Sequence, residues 1–189
     1  MDSTDKIYAG FFIRILSGLI DYVIYLIISF IIYLLLKLIG EMPKYYIVIY
    51  LLFHLLYHFI YNITIPQYFG GTFGKLLLKI KILKTDYKKI GFKESFLRYL
   101  FVLLWYLYST IDNIKSLINT TDGSFNEFMT FSEWINSSNS NEPKINVVFL
   151  IAINIWIFSE YIVLLFNKEK KGLQDYFAGT VIVNTKYYR

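Results

Sequence analysis

The chain has 189 residues, 56% hydrophobic, 20% aromatic and 17% charged, with a formal net charge of +5. This composition excludes a disordered chain and a nucleic-acid-binding tail, and it is too apolar for an ordinary soluble surface. With no cysteine present, disulfides, thiolate nucleophiles, cysteine metal sites and thiol redox chemistry are excluded too.

The first apolar stretch, about 11–39, is broken only by Arg14, Asp21 and Lys37 and is long enough to cross a bilayer. Its acidic start at Asp2 and Asp5, its length and the lack of a small-x-small site predict a retained span rather than a signal peptide. The break at Gly40-Glu41-Met42-Pro43-Lys44 admits a second span, about 45–65, so the two form a helical hairpin. Next comes Gly70-Gly71-Thr72-Phe73-Gly74-Lys75. It lacks Walker spacing, has Leu76 where a phosphate loop needs Ser or Thr, and predicts a tight turn off the membrane.

The connector that follows is strongly basic: Lys75, Lys79, Lys81, Lys84, Lys88, Lys89, Lys93 and Arg98 face only Asp86 and Glu94. Within it Lys79-Ile80-Lys81-Ile82-Leu83-Lys84 alternates with period two, and Thr180-Val181-Ile182-Val183-Asn184 near the C-terminus is equally β-rich. Two lone strands predict a two-stranded ribbon at the membrane surface. A third span is expected at about 96–111 and a fourth at about 145–166, separated by a polar, Asn- and Ser-rich loop over 112–144.

Charge placement sets the expected orientation. Lys6, Arg14, the eight cations of the connector, and Lys168, Lys170, Lys171, Lys186 and Arg189 fall on one side, leaving Lys37, Lys44, Lys115 and Lys144 on the other. The positive-inside rule puts the first group in the cytoplasm. The expected fold is one all-α membrane domain over 1–189, with about four transmembrane helices, both termini cytoplasmic, a cytoplasmic β ribbon and an outside 112–144 loop. Such a chain is a multi-pass protein of the cell membrane. Tyr8, Tyr45, Tyr46, Tyr68, Tyr99 and Trp105 sit at span ends, where amphipathic rings favour the interface.

The polar residues inside the spans are the candidate site. A carboxylate at Asp21 costs about 2.5–3.5 kcal/mol near a helix centre, so it calls either for a hydrogen bond to another helix or for an ion or proton to carry. Arg14, two turns earlier on the same face, reads as an anchor that snorkels to the interface. Glu160 is a second acid, with Asn154 on an adjacent turn, and lies close enough to its span end to reach the interface. His54 and His58 share a face at i and i+4, but no Glu follows His54, so interhelical hydrogen bonding is the stronger expectation over a metal. Asp21, Glu160, His54 and His58 are therefore the candidate ion or proton pathway. No catalytic motif, metal site or cofactor is expected.

Arg14-Ile15-Leu16-Ser17-Gly18-Leu19-Ile20-Asp21, the Gly71-Thr72-Phe73-Gly74-Lys75 turn with Arg98, and Asp175 in Gly172-Leu173-Gln174-Asp175-Tyr176-Phe177-Ala178-Gly179-Thr180 together resemble the RDD family of membrane proteins. The likeness runs over nearly the whole chain apart from the outside loop. Two positions depart from it: Gln174 stands where members often have His, and Phe73 where they often have Pro. The resemblance implies a polytopic membrane protein with a role in transport, cation/proton exchange being proposed for some relatives. A salt bridge from Asp175 to Arg14 or Arg98 at the cytoplasmic interface is the expected latch for the tail. The expected function is transport of a small cation coupled to protons, and the alternative is a non-enzymatic accessory or scaffold that binds anionic lipid or a partner protein. Expected partners are the bilayer, anionic lipids drawn to the basic connector, and a second copy of the chain; no nucleic acid is expected.

Overall fold

The computed structural model describes residues 7–39, 43–119 and 147–188. Helix α1 (Phe11–Ile39) covers the first apolar stretch. Helix α2 (Pro43–Phe59) continues through a wide π turn (Ile60–Thr64) into α3 (Ile65–Phe69). The widening falls just before Pro66, which has no N–H for the regular ladder, and the Asn62 side-chain amide donates to the His58 carbonyl at 3.3 Å. Gly70, left-handed at φ 82°, ends α3.

The turn off the membrane holds more helix than the sequence predicts. Phe73–Leu77 forms the short α4, and the chain then enters strand β1 (Ile80–Lys84). Helix α5 runs over Phe92–Asn119, so 112–119 is helical rather than loop. Hydropathy marks where a helix can face lipid, not where its hydrogen-bond ladder stops, and Asp112, Asn113 and Lys115 continue it in polar form. At its start Glu94 accepts from the Gly91 N–H at 2.7 Å and from Lys84 at 2.9 Å, and the Lys84 bond foremost holds its carboxyl below the usual range. The 120–146 segment lies outside the described residues. Helix α6 (Val147–Ile162) tightens into a 3₁₀ turn (Val163–Phe166) and is followed by α7 (Leu173–Ala178) and strand β2 (Thr180–Asn184).

Two stretches have the length and apolarity to cross a bilayer: Phe11–Leu38, mean hydropathy 2.5, and Val48–Leu77, mean hydropathy 1.6. Only 6% of the first is buried, so its Leu, Ile and Phe side chains face outward, which water would penalise and lipid accommodates. Asn154–Phe166 is apolar but shorter.

The expected ribbon is present. Strands β1 and β2 pair antiparallel with Ile82 opposite Ile182. Neighbouring segments line both its edges: Ala9 N–H donates to Ile182 O and Asn184 N–H to Ile7 O, while Leu83 bridges Lys89. Among the described residues no long strand edge is left open for another chain. Ile80 and Ile82 point inward onto Ala9, Ile13, Ile90 and Ile182, and the alternate Lys79 and Lys81 point to solvent.

Gly74 sets how closely α4 approaches α1. A Cβ there would overlap the Ser17 carbonyl oxygen and stand 2.7 Å from an Asp21 carboxylate oxygen. Gly74→Ala should therefore cost about 1–3 kcal/mol through forced separation of α1 and α4. Thermal unfolding in detergent checks this; an unchanged Tm would show that the contact is slack.

Candidate functional site

Two carboxylates organise the end of the helices that carries the ribbon. The first is Asp175, in the opening turn of α7. The Gly172 N–H donates to its side chain at 3.0 Å, and its own N–H donates to the Gly172 carbonyl, which fixes the turn. Its Oδ2 accepts from Arg14 Nη1 at 2.8 Å, and its Oδ1 accepts from Arg98 and, at 3.1 Å, from the Thr180 hydroxyl. Arg14 is 2% exposed and Asp175 0%, so both charges have left water. Further donors are placed as well: Arg14 Nε reaches the Ala9 carbonyl at 3.1 Å, Arg14 Nη2 the Lys170 carbonyl, and Arg98 Nη1 the Thr180 hydroxyl at 2.7 Å. Burial pushes the Asp175 carboxyl up, but the guanidiniums of Arg98 and Arg14 outweigh it and bring it down to about 2. Arg14 therefore does not snorkel; a buried carboxylate from the far end of the chain reaches its guanidinium first.

The second carboxylate is Asp21, two turns further along α1. Its Oδ1 accepts from the Tyr61 hydroxyl at 2.6 Å and from the Gly74 N–H at 2.7 Å, and its Oδ2 from the Thr72 hydroxyl at 2.6 Å. Lys75 Nζ stands 4.0 Å away, and the carboxylate keeps 16% of its side-chain exposure. The glycine-rich turn thus grips a carboxylate of the chain itself. Gly74 supplies the N–H and the space; Thr72 and Lys75 supply the polar groups. Tyr61 lies on the π turn of α2, so the local widening is what aims its phenol at Asp21.

The histidines form a separate group. His54 Nε2 lies 3.1 Å from the Ser29 hydroxyl, which also contacts the Tyr50 hydroxyl at 3.3 Å. His58 Nδ1 lies 2.7 Å from the Tyr99 hydroxyl, and the His58 ring stacks on Tyr106. Neither imidazole bonds to Asp21, and among the described residues no cluster of three or more His, Asp or Glu could hold a metal. The Glu160 side chain lies outside the described residues, and Asn154 is exposed on α6. Gly179 ends α7 in the left-handed region at φ 64°, turning the chain into β2 so that Thr180 meets Asp175. Gly71 is buried in the turn between α3 and α4.

Tyr61 was not singled out in the sequence, nor were Tyr50 and Tyr57. Their signal is helical spacing: Tyr50, His54, Tyr57, His58 and Tyr61 lie at i, i+4, i+7, i+8 and i+11, a polar-aromatic stripe in an apolar helix. Tyr99, expected at the interface, belongs to the same interior group through its bond to His58.

Span-length apolar helices, pinned at one end to a small ribbon by buried ionic contacts, define an integral membrane protein. A family model described as the RDD family matches residues 8–179, and the chain belongs to that family. The match takes in Arg14, Asp21, the glycine turn, Arg98 and Asp175, and stops one residue short of Thr180. No curated protein and no solved structure matches the chain.

Asp175→Asn would leave two buried guanidiniums without a counter-charge, a loss of about 3–5 kcal/mol, far beyond the effect of removing an exposed pair. Arg14→Asp combined with Asp175→Arg should recover little of that loss, because Arg98 would then face a cation; thermal unfolding of the two variants beside wild type decides this. The same carboxyl makes stability pH-dependent with a definite sign. Its folded value, about 2, lies below the ordinary 3.8, so its contribution is complete above about pH 4 and is lost as pH falls toward 2. The Tm gap between wild type and Asp175→Asn should close across that window; a constant gap would mean that the carboxyl does not titrate there.

Proposed function

We propose that the chain crosses the membrane four times with both termini in the cytoplasm, and that it exchanges a small cation for protons, with Asp21 as the exchanging carboxylate. The two stretches of span length supply half of this topology; α5, 28 residues long, and α6 with its 3₁₀ turn supply the rest. The orientation rests on the basic residues around the ribbon. It also places Lys79, Lys81 and Lys89 where anionic lipid headgroups collect.

The observation that carries the transport reading is the setting of Asp21. A carboxylate within an apolar helix, still 16% exposed and ringed by the Tyr61 and Thr72 hydroxyls, presents three kinds of oxygen to a hard cation. The competing reading is a non-enzymatic accessory protein in which Asp21 only ties the glycine turn to α1, and the close fit of Gly74 favours it. The two separate on one substitution. In Asp21→Asn the amide oxygen can keep the Tyr61 and Gly74 donors, while the amide nitrogen faces Thr72, whose hydroxyl can turn to accept. The fold should therefore survive, whereas an exchanging group must titrate.

In proteoliposomes with an internal pH dye, wild type should show sodium- or potassium-driven proton movement, and Asp21→Asn of equal folded yield should lose it. Equal flux in both removes Asp21 from the path. No flux in either, from folded protein, makes the accessory reading the better one.

A further inference from the structure

The stripe on α2 contains polar atoms that the protein itself does not satisfy. His54 Nδ1, Tyr57 OH and His58 Nε2 are all buried without a hydrogen-bond partner. His54 is 8% exposed and His58 7%. They are three of five such atoms among the described residues, the others being Ser95 Oγ and Trp156 Nε1. These three belong to one cluster, because the Tyr25 ring lies 5.2 Å from His54, 5.7 Å from Tyr57 and 5.3 Å from His58, and Tyr57 meets His58 edge to face at 5.4 Å.

Each imidazole has one nitrogen fixed, by Ser29 or by Tyr99, and the other buried without a partner. Buried polar groups nearly always find partners, and an orphan costs about 1–3 kcal/mol. Two imidazole nitrogens and a phenol can each donate or accept according to tautomer and rotor, so the occupant that fits must do both. A cation only accepts electron pairs, and no carboxylate is present in the cluster to neutralise one.

We propose that His54, Tyr57 and His58 form an internal water site between α1, α2 and α5. The site adjoins the hydrogen-bonded groups at Asp21, on the side toward the middle of the bilayer. Tyr57 stacks on Tyr61 at 5.0 Å, and Tyr61 donates to Asp21. Ser29, at the far end of the group, is eight residues beyond Asp21 on α1, about 12 Å along the axis. Read with the transport proposal, on which this role alone depends, the site is the proton's route from Asp21 inward: a neutral imidazole accepts a proton at its free nitrogen and releases one from the other.

Water-edited solid-state NMR of histidine-labelled protein in lipid vesicles tests the site without any flux measurement. Magnetisation should pass from water to both imidazole rings, and Tyr57→Phe should slow that build-up at least threefold at both. Dry rings in the wild type, or an unchanged build-up in Tyr57→Phe, overturn the proposal. Hydrated rings in a protein that shows no flux would leave the water site standing and remove only the transport reading, whereas flux with dry rings would do the reverse.

Discussion

The architecture depends on one carboxylate held between two buried guanidiniums. Asp175 comes from the last helix, Arg14 from the first and Arg98 from α5, so a single acid joins elements 161 and 77 residues apart in the chain. Desolvating three charges costs several kcal/mol each, and mutual attraction repays that only where the leftover donors also find oxygen. Here they do: the Ala9 and Lys170 carbonyls and the Thr180 hydroxyl take the guanidinium N–H groups that Asp175 cannot. Because β2 begins five residues after Asp175, fixing that carboxylate also delivers β2 to β1. The ribbon is thus a consequence of the ionic centre as much as of its own β-rich sequence.

Asp21 applies the same principle with neutral donors. It stands seven residues beyond Arg14, about 10 Å along α1, and what it grips is the turn between α3 and β1. Two anchors on one face of a helix fix its rotation as well as its depth. That matters for α1 more than for most helices, since its lipid-facing side chains supply little preference for any one rotation. With Arg14 and Asp21 fixed, Tyr25 and Ser29 are carried toward α2, where they meet His54 and His58. The requirement for Gly74 follows from the same geometry: the carboxylate can accept a backbone N–H only if the backbone comes within hydrogen-bonding distance, and a methyl group there would hold it off.

Much of this was legible in the sequence because the costs are local. A charged residue in an apolar run announces itself, so Arg14 and Asp21 stood out, while Asp175 came through the family resemblance; period-two alternation marked β1 and β-branched composition marked β2. What could not be read was how those costs are met. Whether Arg14 snorkels or pairs depends on where residue 175 arrives in space. Whether a glycine-rich turn holds phosphate or a carboxylate of its own chain depends on which helix passes beneath it. The end of α5 at Asn119 was missed for a related reason: apolarity sets the length of the lipid-facing part, and a helix can outlast it. The tyrosines of α2 were overlooked because a phenol is tolerated at an interface and in a core alike, and only its spacing along the helix tells the two apart.

That stripe also bears on what the family's charged residues are for. Inside a bilayer, polar side chains between helices serve as glue when each finds a partner on the neighbouring helix. Arg14, Arg98 and Asp175 fit that description, with all three Arg14 nitrogens and Arg98 Nη1 placed on oxygens and the carboxylate out of reach of solvent. The α2 stripe fits it only halfway, since each histidine satisfies one nitrogen and leaves the other buried without a partner. Glue has no reason to stop at half, because an orphaned polar atom costs about as much as a good hydrogen bond returns. The ionic centre is therefore best understood as the structural part of the motif. Asp21 is the junction where that scaffold meets a set of polar groups whose hydrogen bonds the protein itself leaves incomplete.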